Sequence, residues 1–565
     1  MKFLKLVLSI ITCLFIGFYS NAASADTCNG LLRNSQFSAL PNTTIESAET
    51  VVGKFAPPDG TTPFDDLPSF CRVTAKYAPS AVSNIQIEVW LPTNGWNHRL
   101  EGVGNGGLAG AISYAALESA IRGGYASVST DTGHVDTNNS WLSVPDLEAD
   151  YGYRAIHGMT VIAKVVAAQF YHLPVQISYF NGCSTGGGQG IGEAENYPGD
   201  YDGILAGAAA NFPTHLRANI LWNAKATLDD RASYISSNKL PLITYEVLKQ
   251  CGGPDAIADG FLDDPQTCNF NPEVLKCKKE EDPTTNPCFS EPQILAIRKI
   301  YQGAVDPSTN ESIWPGFLYG SEGPTNTSGG GTVTWEKEIA GPQPDPLGTL
   351  FYDDAVLNNS TFNFHEMNFS SYVHLADQKY PYLNHISANI GTFIGLGHKL
   401  LMYHGFADPV ISTQNSINYY GRLAQITGSE HRLDDFDKAV LLTQESVRLF
   451  MVPGMGHCGG GPGPVSFDAL TPLVNWVEHG TAPALIPASH IDALSRVITF
   501  TRPLCPYPQE AQYNGSGDRT HAANWSCYER PFLFNPFFYV LGTNIYNDDL
   551  AVHVADPLYE FPVKD

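Results

Sequence analysis

Charge is scarce in this 565-residue chain, and positive charge is scarcest. Charged residues make up 16% of it, well below the roughly 25% of an average globular protein. Lys and Arg number 32 against 57 Asp and Glu, a formal net charge of −25 at pH 7. A surface of that sign repels phosphate backbones and anionic lipid, which sets aside nucleic acid and membrane surfaces as partners. There is no heptad run, no collagen period and no repeat of solenoid length, so coiled coils, fibres and repeat arrays are excluded. No CxxC pair occurs, which argues against a zinc ribbon. No HExxH or clustered His/Cys pattern occurs either, which argues against a metallohydrolase. Beyond residue 25, no stretch is long and apolar enough to cross a bilayer.

What remains is apolar and structured. Hydrophobic residues are 43% and aromatics 11%, too much for a disordered chain. At ~150 residues per domain, the length suggests one large domain with an insertion, or two to three domains. Residues 1–25 read as a secretory leader. Lys2 and Lys5 supply its positive start, Leu6–Phe18 its apolar core, and Ala23-Ser24-Ala25 its small-residue cleavage site. The apolar run is short for a membrane span of ~20 residues. The expectation is a protein exported to the periplasm or outside the cell. Cys13 leaves with the leader, and the other ten cysteines, an even number, suit disulfides in an oxidising compartment. Several Asn-X-Ser/Thr sequons, such as Asn310 and Asn368, would carry glycans only in a host that glycosylates.

The organisation predicted is α/β. Residues 99–103, 125–130, 175–180, 399–404 and 448–453 read as strands, 175–180 (VQISYF) being rich in β-branched and aromatic residues. Residues 153–171 carry Ile156, Met159, Ile162, Val165, Val166 and Phe170 at helical spacing, and residues 186–197 and 468–479 also read as helices. Strand and helix alternating in this way imply a parallel sheet covered on both faces. Between about residues 212 and 395 the texture turns to Pro, Gly and Asn, with four cysteines between 251 and 288 and a loop-like run at 325–332. The simplest account is one catalytic domain, 26–212 and 396–565, interrupted by an inserted lid domain, 213–395.

Gly182-Cys183-Ser184-Thr185-Gly186 fits GxSxG, with a predicted strand before it and a predicted helix after it. That context is the nucleophile elbow, a sharp turn that presents a serine at the carboxyl end of a sheet. Elsewhere the same five residues would be an ordinary strand-to-helix turn. A serine hydroxyl is a weak nucleophile until a base takes its proton. The chain order of this fold is serine, acid, histidine. The strand at 399–404 is followed by Gly405-Phe406-Ala407-Asp408, and the strand at 448–453 by Gly454-Met455-Gly456-His457-Cys458. Asp408 and His457 therefore fall where the acid and the base are required, Asp408 to orient the imidazole and His457 to move the proton. Of the other histidines, His404 reads as a satisfied core residue, His157 as packed on a helix, and His134 as a loop residue able to line the pocket. Cys183 precedes the serine and Cys458 follows the histidine. If Ser184 and His457 touch, the two sulfurs are neighbours and can bridge; otherwise each pairs elsewhere.

Cys-Ser at 183–184, Asp408 and His-Cys at 457–458 resemble the paired-cysteine triad of the tannase and feruloyl esterase family, which also includes an esterase of a terephthalate monoester. The likeness spans most of the mature chain. It is densest in residues 181–210 (NGCSTGGGQGIGEAENYPGDYDGILAGAAA), with GNGGLAG at 104–110, HGFADPVIS at 404–412 and WVEHGTAP at 476–483 adding to it. The resemblance implies an α/β-hydrolase core with a lid inserted between the serine and acid segments. It implies an oxyanion hole from the N–H of Thr185 and a glycine N–H in the 104–107 loop, Gly106 first and Gly107 next. It implies sequential disulfides: Cys28–Cys71, Cys183–Cys458, Cys251–Cys268, Cys277–Cys288 and Cys505–Cys527. Sequence alone allows many other pairings.

The family lid also binds a structural calcium in a segment resembling Gly252–Phe261 (GGPDAIADGF). Carried over by position, Asp255 and Asp259 give carboxylates, and Ile257 and Phe261 give backbone carbonyls. Gly252 departs from the pattern, which has another aspartate there; Asp263, Asp264 or water would have to substitute. The plain alternative is a solvated acidic turn. For substrate, the likeness implies small aromatic acyl esters: feruloyl and other hydroxycinnamoyl esters of plant polysaccharide first, galloyl esters or a terephthalate monoester as alternatives. Trp222, Trp335, Phe351 and Tyr352 are candidates for the ring pocket, each equally suited to the core of the insertion. The non-enzymatic alternative is a binding protein on an inactive hydrolase scaffold.

Overall fold

A computed structural model describes residues 28–33, 40–135, 140–279, 287–323, 335, 339 and 341–530. The leader expected at 1–25 and the loop-like run at 325–332 lie outside these residues. The main sheet has nine strands: β1 Thr43–Phe55, β2 Phe64–Tyr77, β3 Ile85–Pro92, β4 Arg99–Val103, β5 Ala126–Thr130, β6 Ile177–Cys183, β7 Gly203–Gly207, β8 Lys399–Gly405 and β9 Val447–Val452. Their order across the sheet is β1-β2-β3-β5-β4-β6-β7-β8-β9. From β5 to β9 every neighbouring pair is parallel; β1, β2, β3 and β5 pair antiparallel.

Parallel neighbours need crossovers, and helices supply them. Tyr114–Arg122 links β4 to β5, Ala155–Tyr171 links β5 to β6, and Thr185–Asn196 links β6 to β7. The helix predicted at 153–171 begins at Ala155, after a wide turn over Asp150–Arg154. Its Ile156, Met159, Ile162, Val166 and Phe170 are all buried against the sheet. β5 and β7 are buried along their whole length, as expected for strands covered on both faces. β1 alternates between exposed and covered residues because it is an edge strand with one open face. Of the parallel strands, β4, β5, β6, β8 and β9 match the expected ones; β7, a short GILAG run, and the antiparallel flank, β1 to β3, were not anticipated.

Residues 208–398 run between two strands that are neighbours in the sheet, with Gly203 of β7 opposite Lys399 of β8. The expected insertion, 213–395, falls inside this span. It is more helical than its Pro/Gly/Asn texture suggested, with helices at Pro213–Leu228, Leu240–Cys251, Glu291–Gln302 and Phe369–Lys379. The insertion has its own core, in which Ile243, Val247, Phe289, Ile294, Ile297 and Trp335 are fully buried. A second cluster joins it to the sheet domain: Trp141, Leu142 and Tyr151 pack with Leu221, Phe351, Tyr352 and Tyr380.

Candidate active site

β6 ends at Cys183 and the next helix begins at Thr185, so Ser184 alone makes the turn, at φ 63° and ψ −122°. A residue with a Cβ is strained there, and such strain persists only where the surroundings hold it. The surroundings are backbone. A Cβ on Gly182 would lie 2.5 Å from the Gly186 carbonyl carbon, and one on Gly104 would lie 2.6 Å from the Gly186 Cα. The glycines of GxSxG let the elbow and the 104–107 loop touch main chain to main chain.

The three residues placed by sequence order converge at the carboxyl ends of β6, β8 and β9. The His457 Nε2 lies 2.9 Å from the Ser184 Oγ, and the His457 Nδ1 lies 2.8 Å from the Asp408 Oδ2. Asp408 is fully buried and saturated with donors. Its Oδ1 accepts from the N–H groups of Val410 and Ile411 at 2.8 and 3.0 Å. Its Oδ2 is shared by His457 and, at 3.0 Å, by the Nε2 of His404. Burial by itself would raise the carboxyl pKa; the charge of His457 and the hydrogen bonds of His404 and His457 outweigh it and hold the group well below the usual carboxylate range. His404 is buried and satisfied as expected, with its Nδ1 2.8 Å from the Ser416 Oγ. What the sequence did not show is that its partner is the Asp408 carboxylate.

The two cysteines beside the reacting pair are joined: Cys183 and Cys458 form a disulfide with Cα atoms 5.9 Å apart. The other four bridges are Cys28–Cys71, Cys251–Cys268, Cys277–Cys288 and Cys505–Cys527, as the family resemblance implied. The glycine loop is bolted to the elbow helix by a pair of amides. Gln189 accepts from the Asn105 N–H through Oε1 and donates Nε2–H to the Asn105 Oδ1, both at 3.0 Å. The Gly186 N–H donates to the Asn105 carbonyl at 2.7 Å, and the Thr185 Oγ1 donates to the Gly107 carbonyl at 2.5 Å. Thr185 is the first residue of its helix, so its N–H has no acceptor within that helix. Gly107 and Thr185 border the cleft at Ser184; Gly106 is not among its lining residues.

That cleft has a volume of about 680 Å³, including its open mouth. Its apolar wall includes Leu216, Ile220, Leu347 and Leu383 from the insertion, and Arg217 and His385 are its polar members on that side. Burial pushes the His385 imidazole down to about 4, so it is neutral. Trp222, Trp335, Phe351 and Tyr352 do not line the cleft; the last three are completely buried in the packing of the insertion. His134 buttresses rather than lines: its Nε2 lies 2.8 Å from the Leu108 carbonyl and its ring stacks on Trp141 at 3.8 Å. His157 is packed on its helix, with Nδ1 2.6 Å from the Asp200 Oδ2.

The calcium donors are placed differently from the expectation. Gly253–Asp259 is a short helix, and Asp255 and Asp259 both face guanidinium groups. The Asp255 Oδ2 accepts from the Arg519 Nη1 at 3.0 Å, and the Asp259 Oδ2 lies 3.6 Å from Arg519 and 3.7 Å from Arg502. Of the substitutes, Asp264 is bonded to Arg530 at 2.8 Å, and burial pushes the Asp263 carboxyl up to about 6. Among the described residues, no group of three or more His, Cys, Asp or Glu is placed to hold a metal ion. With their charge met by arginine, these residues do not fit a calcium ion as arranged.

Sheet, elbow and the order of serine, acid and base define an α/β-hydrolase. The tannase and feruloyl esterase pattern matches residues 71–528. The chain is 34% identical to an uncharacterised esterase of Xanthomonas campestris, over 91% of this chain and 93% of that one. It is 32% identical to feruloyl esterase B of Aspergillus niger, over 81% and 86%. Among solved structures, an esterase from Aspergillus oryzae superposes with a TM-score of 0.77 at 28% identity, covering 89% of this chain and all of that one. The chain belongs to the tannase and feruloyl esterase family and is a carboxylic ester hydrolase.

Proposed function

We propose that the protein is a secreted serine esterase that cleaves aromatic acyl esters through an acyl-enzyme. The observation that carries this reading is the unbroken pair of contacts from Ser184 through His457 to Asp408, 2.9 and 2.8 Å long. Ser184 attacks the acyl carbon while the His457 Nε2 takes its proton. Asp408 stays ionised and stabilises the imidazolium. The developing oxyanion is met by the Thr185 N–H and a glycine N–H of the 104–107 loop, Gly106 or its neighbour Gly107 on the cleft wall. Each such donor lowers the barrier by roughly 3 kcal/mol. His457 returns the proton to the leaving alcohol, then activates the water that releases the acid. The feruloyl esterase relatives support feruloyl esters as substrates, and plant polysaccharide as the alcohol half belongs to this proposal. The leader-like residues 1–25 and the five disulfides support export.

Methyl ferulate and methyl gallate, assayed with the wild-type protein and with Ser184→Ala, test the reading. Turnover of at least one ester, falling by on the order of 10⁵-fold in the variant, is expected. An unchanged rate in the variant removes Ser184 from the mechanism.

A further inference from the structure

Two of the four N–H groups in the 104–107 loop are already engaged. Gly104 donates to the Asn181 carbonyl at 2.9 Å, and Asn105 donates to the Gln189 Oε1 at 3.0 Å. Gly106 and Gly107 remain to meet an oxyanion, and neither has a side chain to anchor it. Thr185 Oγ1 holds the Gly107 carbonyl from one side. The other hold is Asn105, directly before the two glycines. Asn105 and Gln189 are both buried. The Asn105 Nδ2 donates to the carbonyls of Thr130 at 2.8 Å and Ala111 at 3.1 Å. Those two bonds fix which way the amide faces. Its Oδ1 is turned to Gln189 and needs a donor, while its backbone N–H needs an acceptor.

Position 189 must therefore accept and donate at once. A glutamine amide does both, and here it does so with two bonds of 3.0 Å to one residue. Gln189 sits on the helix that begins at Thr185, just over one turn beyond the nucleophile. One side chain thus ties the loop donors to the element that presents Ser184 and the Thr185 N–H. We propose that Gln189 is a positioning residue for the oxyanion hole: its amide sets where the Gly106 and Gly107 N–H groups lie relative to the Thr185 N–H, and so governs stabilisation of the transition state. Gln189 borders the cleft, but its Oε1 and Nε2 are both bonded to Asn105, so it acts through the loop. The proposal rests on Ser184 being the nucleophile and on the 104–107 loop supplying a donor.

Gln189→Leu removes both hydrogen bonds at similar volume. On the better of methyl ferulate and methyl gallate, kcat should fall by about 10- to 100-fold with KM within about threefold of wild type, the range for an oxyanion donor moved out of place. Phenylboronic acid, which forms a tetrahedral adduct on a serine, should bind more weakly by a similar factor, and the product acid should bind unchanged. Gln189→Glu is the sharper variant. An ionised carboxylate accepts from the Asn105 N–H but sets a second acceptor against the Asn105 Oδ1; a protonated one donates there as the amide does. Burial raises Glu101 and Glu195 to about 7, which brings such a transition into range. His457, Tyr151, Arg217 and His385 face the same cleft, and Asp131 lies behind the loop. These groups are common to both proteins, so the ratio of variant to wild-type kcat isolates position 189. That ratio should climb toward one as pH falls from 8 to 5. A Gln189→Leu enzyme with unchanged kcat overturns the proposal, as does one whose whole loss is in KM, or a Gln189→Glu ratio that stays flat with pH. If Gln189→Leu fails to fold, the Gln189→Glu ratio, from a substitution of nearly equal shape, decides alone. A wild-type protein that cleaves neither ester overturns the esterase reading and this proposal with it; an active wild type with indifferent variants overturns the role of Gln189 only.

Discussion

The two sides of the cleft are built to opposite rules. On the sheet side the catalytic groups and the glycine loop have their partners. The Asp408 oxygens accept from two histidines and two backbone N–H groups, and Asn105 and Gln189 exchange a pair of amide hydrogen bonds. On the insertion side, Arg217 Nη1, Tyr352 OH, Asn219 Oδ1 and Asn223 Oδ1 are buried with no hydrogen bond. Buried polar atoms without partners cost on the order of 1–3 kcal/mol each. The difference separates two tasks. Proton transfer needs groups fixed before substrate arrives, so its network is closed. Recognition needs bonding capacity left over, and of these four residues Arg217 is the one that lines the cleft.

Removing the staple on the closed side should have the largest effect. The Cys183–Cys458 bridge joins positions 275 residues apart. Cys183→Ser with Cys458→Ser should cost roughly 2–5 kcal/mol of stability and lower kcat with it, read by thermal melting and initial rates. An unchanged melting temperature and kcat would show that the elbow and the His457 loop hold their geometry without the bridge. Next comes the second histidine on the acid. His404→Gln should lower kcat by about ten- to a hundredfold with KM little changed, since a hydrogen bond to a charged group contributes ~1.5–3 kcal/mol. Because His404 acts through Asp408, its pH–rate profile should shift as well; a fall in stability alone would make it a packing residue.

A smaller effect follows from buried carboxyls. Burial raises Glu148 to about 8, and Glu101, Glu195 and Glu322 to about 7. In the unfolded chain such groups titrate near ~4.3. With the folded value raised, their contribution is fully present below the unfolded value and is lost as pH rises through the folded one. The melting temperature should therefore be higher at pH 5 than at pH 8, and the opposite trend would contradict these assignments. The smallest effect is expected of a chelator. Asp255 and Asp259 face Arg519 and Arg502, so EDTA should leave the melting temperature unchanged. A rise of several degrees on adding calcium would show that the arginines yield to the ion.

The closed side was legible in sequence and the open side largely was not. GxSxG, a strand followed by Asp408 and a strand followed by His457 were enough, because parallel strands deliver their carboxyl ends to one rim. The crossover helix Ala155–Tyr171 was legible from 3.6-residue spacing and Thr185–Asn196 was expected as a helix, whereas Tyr114–Arg122 was not anticipated. The second bond of His404, the amide pair of Asn105 with Gln189, and the contact of Arg519 with Asp255 join residues whose local pattern carries no sign of the partner. Arg217 has no motif at all; only its burial without a carboxylate marks it. The antiparallel flank was missed because the alternation of β1 is interrupted by register shifts near Ser47, Gly53 and Phe55.

The central claim is that Ser184 becomes acylated. Brief reaction with a fluorophosphonate, followed by digestion and mass spectrometry, tests it directly. The account predicts a single adduct on Ser184, absent from Ser184→Ala and slowed in His457→Ala. A protein that stays unlabelled while still cleaving esters, or one labelled at another residue, would contradict it.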